Sequence, residues 1–97
     1  MLTMYLAMLS TEEDRERFTL LYEAYEKRLY AVALKILANP AQAEDAAQQA
    51  WLQVLRNWER VRNLEWESAG KYLAVAAKNA ALDLLKKERW TASMPQE

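Results

Sequence analysis

Four acidic and amide side chains recur on one face of a predicted helix and form the first candidate binding surface. Glu44, Asp45, Gln48 and Gln49 are spaced so that a helix would place them on one exposed strip. Such a strip could pair with a basic helix of another protein. The alternative is that these residues are the solvated polar face of a surface helix, with acids near its positive end. The spacing alone favours this second interpretation.

A later predicted helix carries a strip of basic side chains, the second candidate surface. Lys71 and Lys78 lie two turns apart on one face, and Asn79 and Asp83 are four residues apart beside them. Cations can neutralise phosphates, and an asparagine amide offers a donor and an acceptor to a base edge. Basic residues near a helix C-terminus also complement the helix dipole, so the spacing alone again favours a solvated face. The strip comprises Lys71, Lys78, Asn79, Lys86, Lys87 and Arg89.

An aromatic and basic segment joins these two helices and is the third candidate. Residues 57–67 contain Trp58, Arg60, Arg62 and Trp66. Aromatic rings close to cations are suited to stacking and holding unpaired bases. Tryptophans that flank a loop also commonly anchor it to the core. We favour the anchor for Trp58 and leave both interpretations open for Trp66.

The residue types that are missing exclude most catalytic chemistry. The 97 residues contain no Cys and no His. Disulfide frameworks, thiolate zinc sites, thiol nucleophiles and histidine general bases are therefore excluded. We find no catalytic carboxylate pair, no glycine-rich loop that could cradle a phosphate and no cluster of metal ligands in the sequence. The sequence predicts a protein that is not an enzyme and uses no cofactor or metal.

The charge is distributed unevenly along the chain. The net charge of −1 does not by itself indicate a nucleic-acid partner. However, residues 1–50 carry eight acidic and five basic residues, whereas residues 51–97 carry six acidic and eight basic ones. The apolar segment Met1–Leu9 is too short to span a bilayer or to act as a signal sequence. We therefore expect a cytoplasmic protein with no membrane partner.

Composition and helix-end signals predict an all-α fold. One Gly and two Pro leave little room for tight turns, and the commonest residues are strong helix formers. Ser10 or Thr11, followed by acids, predicts the start of a first helix. Asn39-Pro40 predicts its end near Ala38 and the start of a second helix over residues 41–58. A third helix is predicted over residues 67–89, after a loop with room for one helical turn.

These helices predict a compact bundle of three main helices, with a short extra helical segment at the N-terminus. We expect one helical domain over residues 11–90, between an apolar N-terminal segment, 1–10, and a disordered tail, 91–97. We expect Gly70 to lower the stability of the third helix only slightly, because it lies in the first turn of that helix. The predicted inner side of that helix comprises Tyr72, Leu73, Ala76, Ala80 and Leu84.

Taken together, the segments resemble region two of the extracytoplasmic-function group of sigma-70-like sigma factors. The resemblance covers about three quarters of the chain, from Phe18 to Arg89. It begins with Phe18-x-x-Leu21-Tyr22-x-x-Tyr25-x-x-x-Leu29-Tyr30 and continues through the Asn39-Pro40 turn. The run Ala43-Glu44-Asp45-Ala46-Ala47-Gln48-Gln49-Ala50-Trp51 is similar to the family's acidic signature. The run Tyr72-Leu73-x-x-x-Ala77-Lys78-Asn79-x-x-x-Asp83-Leu84-Leu85-Lys86-Lys87 is similar to its minus-ten-recognition helix.

The resemblance implies two binding roles. One is docking on the clamp helices of the largest subunit of core RNA polymerase, and the residues implied are Glu44, Asp45, Gln48, Gln49, Leu52 and Leu55. The other is capture of a base flipped from the minus-ten element by the loop 57–66, so that binding of the non-template strand melts promoter DNA. The residues implied to contact that DNA are Arg60, Arg62, Trp66, Lys71, Lys78, Asn79, Asp83, Lys86 and Lys87.

Some positions depart from the family pattern. Gln49 stands where Glu is usual, which removes one charge from the docking strip. Ala74 and Val75 stand where polar or basic residues are frequent. Lys replaces the commoner Arg near the end of the third helix, which keeps the charge but loses bidentate geometry.

Two other functions remain open from the sequence. No second helix-turn-helix domain follows within these residues, and a stand-alone sigma-like module could bind polymerase or an anti-sigma factor without recognising a promoter. The other is a helical bundle that forms homo-oligomers through Trp90 and the apolar segment Met1–Leu9.

Overall fold

The computed structural model describes the backbone of residues 2–93 and the side chains of residues 2–89. Its five helices confirm the all-α prediction, and no strand occurs within these residues. The helices are α1 (Leu2–Leu6), α2 (Glu12–Leu37), α3 (Pro40–Arg56), α4 (Trp58–Val61) and α5 (Trp66–Ser93). The three long helices, α2, α3 and α5, all pack against one another. None of the helices in this part of the chain is both long and apolar enough to cross a membrane.

Local hydrogen bonds set the start of α2 and the turn that joins α2 to α3. The Thr11 hydroxyl accepts a hydrogen bond from the Asp14 amide at 3.1 Å and begins α2. Ala38 takes a left-handed conformation, with φ 53°, and its amide closes the helix on Leu34 O at 2.8 Å. The Asn39 side chain then accepts from the Gln42 amide at 3.0 Å, and Pro40 is the first residue of α3.

The segment between α3 and α5 is more ordered than the sequence predicts. Helix α3 ends at Arg56, two residues before its predicted end, and the single turn α4 follows. Trp58, at the start of α4, is buried, and its ring lies edge-on to Phe18 with 5.7 Å between ring centroids. This contact confirms Trp58 as an anchor. Trp66 is the first residue of α5, so the irregular segment shrinks to residues 62–65.

The N-terminal segment belongs to the core of the same domain. Tyr5 of α1 is 1% exposed, and its ring lies 6.0 Å from the rings of both Phe18 and Tyr22. Leu9 is also buried. Tyr5 and Leu9 are therefore not available for self-association, whereas Met4, Ala7 and Met8 stay exposed. Met1 and the Trp90 side chain, which the oligomer hypothesis also needs, lie outside what the structure describes.

Helix α5 is turned relative to its predicted orientation. Its fully buried line is Ala69, Leu73, Ala77 and Ala81, whereas the predicted inner residues Tyr72, Ala76, Ala80 and Leu84 are half-buried at the edge. Of the five predicted inner residues, only Leu73 lies in this buried line, where the neighbouring alanines let α5 approach the other helices closely. The helix also runs to Ser93, which makes the first three residues of the predicted tail helical. Residues 94–97 lie outside the described residues.

Gly70 fills a role that its place in the first turn of α5 did not predict. It is buried against Tyr25 of α2. A methyl group added at Gly70 would overlap the Tyr25 hydroxyl oxygen and lie 2.7 Å from the ring carbon Cζ. The glycine therefore allows the close approach of α5 to α2.

We expect Gly70→Ala to lower the free energy of unfolding by about 1–3 kcal/mol, because overpacking a buried site outweighs the better helix propensity of alanine. Urea denaturation followed by circular dichroism measures the change. Ser68→Ala, at an exposed position of the same turn, is the control and should change stability by less than about 0.5 kcal/mol. A Gly70→Ala protein that is more stable than the wild type would contradict the close contact.

Candidate functional site

The predicted acidic and amide strip is a ridge between two concavities. We define the α3 ridge as Glu44, Asp45, Gln48 and Gln49, all of which are exposed. Asp45 and Gln49 line a groove of about 400 Å³ between α3 and α5. Glu44 and Gln48 line a pocket of about 440 Å³, whose walls come from α1, α2 and α3. A partner that binds the α3 ridge would therefore also contact the groove on one side and the pocket on the other.

The two leucines implied to extend this surface differ in their exposure. Leu52 is half-buried and packs against the larger core cluster. Leu55 is only 8% exposed and belongs to that cluster itself. Leu55 therefore offers little exposed surface to a partner, and its part in docking stays a prediction.

The basic residues of α5 divide between two parts of its surface. Lys71, Lys78 and Lys86 are exposed and stand away from the groove, and we call them the basic crest. Asn79, Asp83 and Lys87 instead line the groove, facing Asp45 and Gln49 of α3. Val75, between Lys71 and Lys78, is 55% exposed. The structure thus brings residues of both predicted surfaces into one groove and leaves the crest free for a separate contact.

Arg62 forms an ion pair with Asp14 of the same chain. Its Nε lies 3.2 Å from Oδ1 of Asp14, whose side chain is 13% exposed. Partial burial of the carboxylate makes this pair stronger than an ion pair in full solvent. Arg60 is exposed on α4. Of the two arginines predicted to meet DNA, Arg62 therefore also fastens the segment 62–65 to the start of α2.

Arg17 holds the other end of the same segment. One of its terminal nitrogens donates to Leu64 O at 3.0 Å, and the guanidinium carbon lies 5.3 Å from the centre of the Trp66 ring. The Tyr25 ring packs on Trp66 as well, at 5.7 Å. We call Asp14 and Arg17 the α2 clasp. No periodicity in the sequence predicts the clasp, because its contacts join residues about 47 positions apart.

Trp66 combines support with exposure. Arg17 and Tyr25 fix the position of its ring, yet 39% of the residue remains exposed at the start of α5. A ring that is held in place but open on one side can stack on an unpaired base at little cost in side-chain entropy. The contacts with Arg17 and Tyr25 thus support the anchor interpretation, and the stacking of a base on Trp66 stays a prediction.

Comparison with known proteins identifies a family that the chain matches. Residues 21–91 match the family model described as Sigma-70 region 2. The match takes in α2 from Leu21 onward, all of α3 and α4, and α5 as far as residue 91. No curated protein and no solved structure gave a significant match to the chain.

We expect Arg17→Ala to speed amide hydrogen exchange at Leu64 by roughly tenfold, because the segment loses a hydrogen bond and a cation–π contact. The Leu64 amide is a suitable probe, since it donates to Val61 O at 3.1 Å. Arg15→Ala is the matched control, because Arg15 contacts the exposed Glu12 at 3.5 Å and does not reach the segment. Equal exchange rates at Leu64 in the two variants would show that Arg17 does not order it.

Proposed function

Because the chain belongs to the sigma-70 region 2 family, we propose that it docks on core RNA polymerase through the α3 ridge and captures promoter DNA through α5 and residues 57–66. Membership of the family makes the chain a non-enzymatic transcription-initiation domain that acts in polymerase binding and promoter recognition. The proposal that these two surfaces bind polymerase and DNA rests mainly on the packing of α3 against α5. This packing places the α3 ridge and the basic crest on neighbouring helices.

The α3 ridge suits a basic helical partner. Two carboxylates and two amides project from a helix whose opposite face, Ala43, Ala46 and Ala50, is fully buried. The side chains therefore stand on a rigid base and lose little freedom when a partner binds. In the resembling sigma factors the partner is the pair of clamp helices on the largest polymerase subunit, and we propose the same partner here. An anti-sigma factor would compete for this surface.

The DNA surface combines charge with a stacking platform. Lys71 and Lys78 of the basic crest can neutralise phosphates of the non-template strand, and Lys86 can reach the duplex upstream. Trp66, which is 39% exposed, lies five residues before Lys71. A base that leaves the minus-ten duplex would stack there, which couples capture of the strand to promoter melting. Asn79, at the rim of the groove, is the residue placed to read a base edge.

We expect Asp45→Arg to weaken binding to core RNA polymerase by more than about tenfold, since it places a cation where the partner presents one, and Gln48→Ala to weaken it less. Biolayer interferometry with immobilised core enzyme measures both. Glu23→Arg makes the same charge change at an exposed position of α2 outside both concavities and should have little effect. Unchanged affinity in both ridge variants would refute docking through α3.

We expect the double variant Lys71→Ala with Lys78→Ala to bind a single-stranded minus-ten oligonucleotide more weakly and with a salt slope reduced by about 1.4, at about 0.7 for each lost phosphate contact. Fluorescence anisotropy at several salt concentrations gives the slope. Asn79→Ala should change the preference among base sequences while leaving the slope unchanged. Lys35→Ala, at an exposed position near the end of α2, is the control. A wild type that binds polymerase but no oligonucleotide at low salt would favour the alternative, a docking module without promoter recognition.

A further inference from the structure

The pocket beside the α3 ridge is lined by aromatic rings from three helices. Tyr5 comes from α1, Tyr22 and Tyr30 from α2, and Trp51 from α3. Tyr5 and Trp51 are buried, whereas Tyr22 and Tyr30 are half-buried. The Tyr22 ring lies between the two buried ones, 6.0 Å from Tyr5 and 4.9 Å from Trp51. Tyr22 and Tyr30 therefore present the accessible aromatic surface of the pocket, and Tyr5 and Trp51 form its buried base.

Charged and amide groups surround the mouth of this pocket. Glu26 and Lys27 approach from α2, and Glu44 and Gln48 approach from α3, and all four are exposed. The two carboxylates and one ammonium leave an excess of one negative charge. Burial, together with a hydrogen bond to Glu26, raises the pKa of the Tyr22 hydroxyl. The tyrosine thus stays neutral at physiological pH and ties the Glu26 carboxylate to the aromatic wall.

We propose that this pocket receives an arginine side chain from the protein that docks on the α3 ridge. The faces of tyrosine and tryptophan rings carry negative potential and attract a cation, and a planar guanidinium can stack on them. Carboxylates on facing helices can pair with the same group through charge-assisted hydrogen bonds. The volume of about 440 Å³ has room for the guanidinium and much of its aliphatic stem. The inference rests on the proposed docking and names the group that would anchor it.

Other occupants fit this lining less well. An aliphatic side chain would cover the rings but would take water from Glu26 and Glu44 without pairing them, which is costly. An acidic side chain would meet two carboxylates and the negative ring faces. Lysine would supply the charge without the planar group that both stacks and binds bidentately. Arginine satisfies the rings and the carboxylates together.

The ligand chemistry can be tested with the intact chain and a small probe. We expect N-acetyl-arginine amide, titrated to millimolar concentration, to shift the indole NH resonance of Trp51 in an NMR spectrum. N-acetyl-citrulline amide, which is nearly isosteric but neutral, should shift it far less. Lys27→Gln removes the one cation among the described residues that line the pocket, and it should tighten arginine binding. Glu26→Gln with Glu44→Gln should weaken arginine binding severalfold. Equal responses to both probes, or a response that ignores these variants, would overturn the proposal.

Affinity measurements with core RNA polymerase distinguish the arginine-pocket proposal from the proposal that the α3 ridge docks on the enzyme. We expect the pocket variant Glu26→Gln, which leaves all four residues of the α3 ridge unchanged, to bind severalfold more weakly. Glu16→Gln with Glu23→Gln, which removes two exposed charges from α2 outside the pocket, should bind within about twofold of wild type. If Asp45→Arg abolishes binding while the pocket variant binds normally, docking stands and the arginine pocket is refuted. If neither change matters, both are refuted.

Discussion

The ring of Phe18 is the contact on which the rest of this small domain depends. It is fully buried and lies between 5.5 and 6.2 Å from the rings of Tyr5, Tyr22, Trp51 and Trp58. These four rings come from α1, α2, α3 and α4, so one side chain holds four elements in register. A domain of 97 residues buries limited apolar surface, and large aromatic side chains supply much of it per residue.

Each neighbour of Phe18 sets the position of a different functional surface. Trp51 fixes the rotation of α3 about its axis, and the α3 ridge and the lining of the arginine pocket follow from that rotation. Trp58 fixes α4 and hence the start of the segment 62–65.

The functional surfaces also require that the long helices approach one another closely. Alanines on α3 and α5, together with Gly70, let these helices pack near enough for one groove to include both Asp45 and Asn79.

The sequence predicted the helices well where local chemistry determines them. Thr11 and the Asn39-Pro40 pair set helix ends through contacts within three or four residues, and the structure confirms both. The inner face of α5 was predicted less well, because apolar residues lie on both sides of the buried line and the pattern does not distinguish the half-buried Ala76 and Ala80 from the buried Ala77 and Ala81. Leu55 entered the docking surface through the family resemblance, and its low exposure became visible only in the packed structure.

The α2 clasp and the aromatic pocket could not be predicted, because both are made of residues distant in sequence. Asp14 looks like a helix-start acid and Arg17 like a surface cation, yet they reach Arg62, Leu64 and Trp66. The roles of the exposed residues in binding polymerase and DNA stay predictions, since a side chain's exposure does not identify its partner. The spacing of Glu44, Asp45, Gln48 and Gln49 did locate a real ridge, but not the hollows on either side.

The α2 clasp lowers the entropy cost that this small domain would meet in capturing a DNA strand. A segment that became ordered only on binding would cost about 1–2 kcal/mol of backbone entropy for each residue fixed. Ordering residues 62–65 would then cost about 4–8 kcal/mol, more than the roughly 1–3 kcal/mol that one stacked base contributes. The clasp orders this segment before DNA arrives, through contacts that are each worth about 1 kcal/mol. Individually they are weak enough for a phosphate to compete with Asp14 for Arg62. Together they keep Trp66 in place while that exchange occurs, so the stacking platform does not have to form and bind in one step.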